Sequence, residues 1–221
     1  MRVLQLDILG SPNIGIYCAA NDRLCLVPFG LTKKKTEQIR SCLSAPVYPF
    51  SVAGSILNGV LTASNSRGLV APHIVRKEEL RALKRIEDFS LHVLRSKRTA
   101  LGNLILVNDK GAVVDPRFTS PEIKRLADAF DVEVVKGRIS GLPYVGSLAV
   151  VTNNGAVTNP KISEDEKKLL EDALKVDSEP GTVNGGVPFP KLGMLANSHG
   201  VATGPHTSGL ELADLTRTLR L

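Results

Sequence analysis

Apolar residues along this chain fall into short runs of strand length, set in pairs around turn residues. From Leu106 to Pro116 the chain reads apolar run, Asn108-Asp109-Lys110-Gly111, apolar run, proline. Asn, Asp and Gly tolerate the backbone angles of a tight hairpin, so this stretch predicts strand, turn, strand and a proline stop. The pattern recurs at Asn21–Pro28, Asn65–Pro72, Asn153–Pro160 and Asn197–Pro205. The closing prolines (28, 72, 116, 160, 205) step by 44, 44, 44 and 45 residues, and the turn asparagines (21, 65, 108, 153, 197) by 44, 43, 45 and 44. A glycine leads each first strand, at 15, 59, 102, 146 and 193. Three series in register make an internal repeat of about 44 residues.

After each proline the apolar period changes from strand to helix. Unit three carries Thr119-Ser120-Pro121-Glu122, a hydroxyl cap, a first-turn proline and the glutamate of a capping box, ahead of Ile123, Leu126, Ala127 and Phe130. Ser163 with Glu166 and Ser208 with Glu211 repeat the signal. Unit two offers Leu80, Leu83 and Ile86; unit one is sparser, with Thr32, Ile39 and Leu43. Another short apolar run follows, such as Phe89–Leu94 or Val132–Val135. The predicted unit is strand, turn, strand, helix, strand. Unit five stops at its helix, while Val3–Ile8 is strand-like and precedes unit one. The first residues are therefore expected to complete the last blade and close a ring, which removes an exposed sheet edge. The expected organisation is one α/β domain over 1–221, with repeats at 9–52, 53–96, 97–140, 141–186 and 187–221 plus 1–8.

Composition changes this picture little. A hydrophobic fraction of 43% supplies a core, no apolar run is long enough for a membrane helix, and the N-terminus has no signal-peptide core. Three cysteines (18, 25, 42) without metal spacing point to reduced thiols and a cytoplasmic location. Charge adds more. The net charge is +6, with basic runs at Lys33–Lys35, Arg76–Arg85 and Arg95–Arg98. The first two, interspersed with acids such as Glu78 and Glu79, read as solvated helix faces. Arg95–Arg98, in a connection between units, is open equally to that reading and to contact with RNA or another acidic surface. With six Phe, three Tyr and no Trp, stacking on single-stranded bases is disfavoured.

Several stretches carry a family resemblance: Asn13-Ile14-Gly15, Leu69-Val70-Ala71-Pro72, Ala100-Leu101-Gly102-Asn103, Val145-Gly146-Ser147 and Gly181-Thr182-Val183-Asn184, with Leu192-Gly193-Met194 as a weaker echo. In this order, on this repeat, the chain resembles the translation initiation factor 6 family over essentially its whole length. The resemblance implies the pentein fold, a β/α propeller of five ββαβ repeats with pseudo-fivefold symmetry. It implies a non-enzymatic factor that binds the intersubunit face of the large ribosomal subunit, on ribosomal protein near the sarcin–ricin loop, and so blocks joining of the small subunit. Eukaryotic members also act in large-subunit biogenesis. This basic chain, ending at Leu221, looks like the archaeal branch.

Penteins also include guanidine-modifying enzymes, which need a late-chain cysteine nucleophile. No cysteine follows Cys42, and a free cysteine in a strand or helix behaves as a small hydrophobe. Histidines 73, 92, 199 and 206 form no metal motif, and no glycine run is followed by the Lys-Ser or Lys-Thr of a phosphate loop. No catalytic residue, metal or cofactor is expected. A clamp around duplex nucleic acid is also disfavoured, because five small units enclose only a narrow channel. A monomer is the expectation for a ring without open edges. The glycine-led strand starts should gather at one end of the ring. The candidate ribosome-binding residues there are Asn58, Gly102 and Asn103, with Arg98 at the rim and Val183 and Asn184 beside them. An asparagine beside glycine in such a place also reads as a turn cap.

Overall fold

The computed structural model describes residues 2–84, 86 and 89–221, the side chain of Ala82 excepted. Arg85, at the end of the second basic run, lies outside the described residues. Every predicted hairpin forms. In unit three Ile105–Val107 runs antiparallel to Ala112–Val114, with Leu106 opposite Val113, and Val134–Lys136 adds in parallel on the far side. The same three-stranded arrangement joins Ala19–Ala20, Cys25–Val27 and Val47–Pro49. It joins Ala63–Ser64, Gly68–Pro72 and Ser90–Leu94, and again Ala149–Val151, Ala156–Thr158 and Ser178–Pro180. The fifth sheet pairs Met194–Asn197 with Gly200–Thr203, and its third strand is Val3–Gln5, with Val3 opposite Val201. The first residues thus complete the last sheet, as the pattern predicts.

The long helices are Lys33–Leu43, Lys77–Leu83, Ser120–Phe130, Glu164–Leu174 and Gly209–Thr218. Thr119, Ser163 and Ser208 form the expected capping boxes with Glu122, Glu166 and Glu211. Unit two stops at Leu83, before Ile86. Each helix is a layer between its own sheet and the preceding one. Leu126, Ala129 and Phe130 pack with Val70 and Leu94 of unit two as well as Val114 of their own unit. Leu170 and Leu174 pack with Leu106 and Val113 of unit three, and Ile39 and Leu43 with Leu195 and Ala202 of unit five. Apolar burial is thus shared across every joint, so a unit alone has half a core.

A second set of helices was not legible in the sequence. Ile14–Tyr17, Asn58–Leu61, Leu101–Leu104, Val145–Leu148 and Pro190–Gly193 are four residues each, too short to show a period. Each packs against the next, and the fifth packs against the first. Their second residue sits against the previous short helix: a Cβ on Gly59 would stand 1.9 Å from the Gly15 carbonyl oxygen, and one on Gly102 2.1 Å from that of Gly59. The fifth residue of this series is Lys191, not Gly193. Gly193, the glycine nearest in the sequence, stands two positions later, at the end of its short helix.

At the opposite end of the strands, each turn asparagine ties its hairpin to the next unit. Asn65 Nδ2 donates to the carbonyls of Asn108 and Phe130, Asn108 Nδ2 to those of Thr152 and Leu174, and Asn197 Nδ2 to those of Asn21 and Leu43. Phe130, Leu174 and Leu43 end their helices, so these bonds satisfy otherwise orphaned carbonyls. In unit four the equivalent residue is Thr152, whose Oγ1 accepts from Asn154 N and Gly155 N. Asn153 stands one position on, level with Asp22, Ser66, Asp109 and Ser198, which corrects the fourth member of the asparagine series.

Candidate interaction surface

Strand direction sorts the loops. Hairpin turns and helix C-termini lie at one end; short helices, helix N-termini and unit connections lie at the other. The hairpin end is polar and internally bonded, with Arg67 on Asp131 and Arg220 on Asp177. The short-helix end holds the candidate residues.

Most unit connections there are tight hairpins. Leu9 and Gly10, Ala53 and Gly54, and Ser140 and Gly141 each place two residues at positive φ, the requirement of a two-residue turn matched to strand twist. Asn184, Gly185 and Gly186 make a three-residue version. Leucine, alanine and serine pay a strain cost there, and a carboxylate on the third helical residue of the same unit holds the turn. Glu79 accepts from Ala53 N and Gly54 N, each at 2.8 Å. Glu166 accepts from Ser140 N and Gly141 N, and Glu211 from Gly185 N and Gly186 N. Successive N–H groups in such turns form an anion nest, here filled by the protein's own glutamate. In unit one the helix offers Lys35 instead, and the turn supplies the acid: Asp7 accepts from Gly10 N and from Lys35 Nζ, both at 2.8 Å. Unit three has no left-handed turn; Glu122 there lies 3.9 Å from Arg98.

These carboxylates are held ionised. Burial by itself raises the pKa of Glu211, but hydrogen bonds from Ser208 N, Thr182 Oγ1, Gly186 N and Gly185 N outweigh it and bring it to about 2. Glu79, Glu122 and Glu166 are lowered by the same opposition. A carboxylate whose folded pKa lies below its unfolded value stabilises the fold above the unfolded pKa, and that contribution fades as pH falls through the folded one. For Glu211 the window runs from 4.5 to about 2. Across this window the urea midpoint of the wild type is expected to fall. Glu211→Gln should start lower, by about 1–2 kcal/mol as for a lost helix cap, and fall less.

The structure separates the candidate residues. Asn58, Gly102 and Val183 are buried. Asn58 Nδ2 donates to the Phe50 carbonyl at 2.9 Å, Gly102 is packed on Gly59, and Val183 lies under a turn bridged to Val187. None of the three presents surface in this conformation. Asn103 is half-exposed, and its side chain makes no hydrogen bond with another described residue. That leaves it without the turn-cap role. Asn184 stitches unit five to unit one: its Nδ2 donates to the Pro12 carbonyl at 3.0 Å, and its own N–H donates to Thr207 Oγ1. Arg98 is half-buried over the Phe118 ring, 5.5 Å from its centroid.

What the sequence reading missed is the apolar character of this end. Leu9, Ile56, Leu142, Tyr144 and Phe189 all stand exposed in the connections, Leu9 at 49% and Tyr144 at 44%. Large apolar residues inside Gly- and Pro-rich connections were the available signal, because no strand or helix needs them there. Around them lie exposed Lys33, Lys34, Arg76, Arg95, Arg117 and Arg138. Arg117 also stacks on Tyr144, 5.6 Å from its centroid, and pairs with buried Asp115. With Glu79, Glu122, Glu166 and Glu211 occupied internally, the exposed balance here favours positive charge.

The cysteines offer no thiolate nucleophile. All three cysteines are buried, and burial pushes the Cys18 thiol up to about 12 and the Cys42 thiol to about 11, so both stay protonated. Among the described residues no group of three potential metal ligands occurs, and no helix is long and apolar enough to cross a membrane.

Comparison with known proteins gives one consistent result. The model of the eIF-6 family matches residues 3–218. Proteins named translation initiation factor 6 are similar over their full lengths. That of Cenarchaeum symbiosum is 46% identical over 217 residues (98% of each chain), and that of Pyrococcus furiosus 44% over 224 residues (99% of each). That of Staphylothermus marinus is 38% identical over 222 residues, covering 99% of this chain and 98% of its own.

Proposed function

Because the chain belongs to the eIF-6 family, a family of translation initiation factors and not of enzymes, we propose that it binds the intersubunit face of the large ribosomal subunit and sterically prevents joining of the small subunit. The observation that carries this reading is the contrast between the two ends of the molecule. One is polar and closed on itself; the other presents exposed apolar side chains ringed by basic ones, a composition suited to ribosomal protein flanked by RNA phosphate. Steric blocking requires a rigid body and no chemistry. The cyclic order of contacts, with the fifth short helix on the first and Val3–Gln5 in the fifth sheet, supports a pentein ring of five repeats as that body. The reading places the factor in the cytoplasm as a monomer, acting at the subunit interface near the sarcin–ricin loop, with a role in large-subunit biogenesis alongside.

Co-sedimentation with purified large and small subunits, with subunit joining followed by light scattering, tests this. The expected result is binding to the large subunit alone and near-stoichiometric inhibition of joining. Absence of binding even at low salt overturns it. Of the candidate residues, Asn103, Arg98 and Asn184 have surface to contribute, and the Asn184 side chain is already engaged with Pro12. Asn103→Arg should weaken binding roughly tenfold, about 1.4 kcal/mol, with an unchanged melting temperature. A matching loss of stability would assign Asn103 to the scaffold instead.

A further inference from the structure

Four joints between short helices are closed by glycine, and one is not. At the joint between Val145–Leu148 and Pro190–Gly193 the equivalent position carries Lys191. The same joint is tied differently at its other end: the Thr152 side chain bonds only within its own turn, and Asn154 Nδ2, two positions on, donates to the Ser198 carbonyl of unit five instead. Both departures fall between units four and five, where a lysine stands in place of the glycine of the other joints.

Lys191 lines a central cavity of about 60 Å³, walled by the inner strands of all five units and by Gly102 and Gly146. Among the described residues no carboxylate lines it. Lys191 Nζ makes no hydrogen bond or ion pair with any described residue. Two hydroxyl residues also line the cavity: Thr62 Oγ1 donates to the Asn58 carbonyl, whereas Ser64 Oγ accepts from Asn21 Nδ2 at 3.0 Å, which leaves its own O–H free to donate. The far mouth of the passage is negative. Asp22 and Asp109 are bridged there by Asn153 Nδ2, at 2.8 and 2.6 Å, around a smaller cavity of about 20 Å³.

We propose that the central cavity is a binding site for a small inorganic monovalent anion, held by the Lys191 ammonium and the Ser64 hydroxyl. The volume decides the size class: it holds about four waters, enough for a halide and too little for a nucleotide. Charge decides the sign, since among the described residues the ammonium is the one charged group lining the cavity. Desolvation draws the Lys191 pKa down from its ordinary value although the residue keeps part of its surface accessible, the cost of a charge held away from bulk water without a partner, and a bound anion offsets that cost. The carboxylates at the far mouth repel an anion from that side.

Bromide is the probe. Crystals of the whole chain soaked in sodium bromide should show an anomalous peak in the cavity within hydrogen-bond reach of Lys191 Nζ. The melting temperature should rise with bromide at constant ionic strength, as for a ligand that binds only the folded state. Lys191→Met should lose both the peak and the rise. Lys191→Gly, which restores the residue type of the other four joints, serves the same purpose if the methionine variant does not fold. A wild-type cavity without a peak, bromide confined to the outer surface as an adventitious ion only, or a cavity peak that survives in either variant overturns the proposal.

Discussion

Gly59→Ala is expected to lower the melting temperature by about 10 °C, or to abolish folding. The added methyl would stand 1.9 Å from the Gly15 carbonyl oxygen and 2.4 Å from that of Cys18. Overpacking costs ~1–3 kcal/mol where side chains can step aside. Here the obstacles are backbone carbonyls of the neighbouring unit, which move only if two short helices separate. Separation would break a cycle that every other joint depends on, so about 3 kcal/mol is the lower end of the expectation. Gly209→Ala is the control: it opens the last long helix, and nothing lies within 4 Å of its Cβ position. Thermal unfolding should show it unchanged while Gly59→Ala falls. Equal stability of the two would mean that the short helices are not packed as tightly as the carbonyl contacts require.

Asn108→Ala should cost about 3 kcal/mol in chemical denaturation, the sum expected when several buried partners are left unpaired. Asn108 is buried and uses all of its capacity. Its two N–H groups donate to the Thr152 and Leu174 carbonyls, and its Oδ1 accepts from Lys110 N and Gly111 N, all at 3.0 Å. Alanine removes the turn bonds, a helix C-terminal bond and the tie between units three and four in one step. Asn108→Asp keeps the acceptors but loses the donors and buries a charge, so it should be no better. Thr152→Ala, where the side chain bonds only within its own turn, should cost about 1 kcal/mol. If Thr152→Ala proved as damaging as Asn108→Ala, the inter-unit bonds would not be the source of the loss.

Much of the fold could be read before the structure, because its signals are local. A turn asparagine, a closing proline and a capping glutamate act within a few residues of themselves, and repetition every 44 or so residues multiplied each signal five times. The completion of the fifth sheet by Val3–Gln5 followed from counting, since the last unit lacked a strand and the first had a spare. Two positions were misplaced for the same reason. A string of letters offers Asn153 and Gly193 as the nearest matches, whereas the register is set by which residue meets the neighbouring unit, and there Thr152 and Lys191 stand.

The candidate surface was less legible. Gly102 and Asn58 looked like openings for a partner's approach. The structure uses Gly102 for the approach of another part of the chain, and buries Asn58 behind the Phe50 carbonyl. Glycine marks a close contact without saying with what. Asn103, one residue later on the same four-residue helix, faces outward because a helix turns about 100° per residue.

The sequence by itself determined the unit, its number of copies, its helix caps and the family, all of which depend on residue type and short-range spacing. Only the tertiary structure decided which residues face one another across the joints. It filled the anion nests with glutamates 25 or 26 residues away, set apolar side chains outward at one end, and stood Lys191 in the central cavity where four glycines close the other joints. Those outcomes depend on distances between residues far apart in the chain, which packing alone sets.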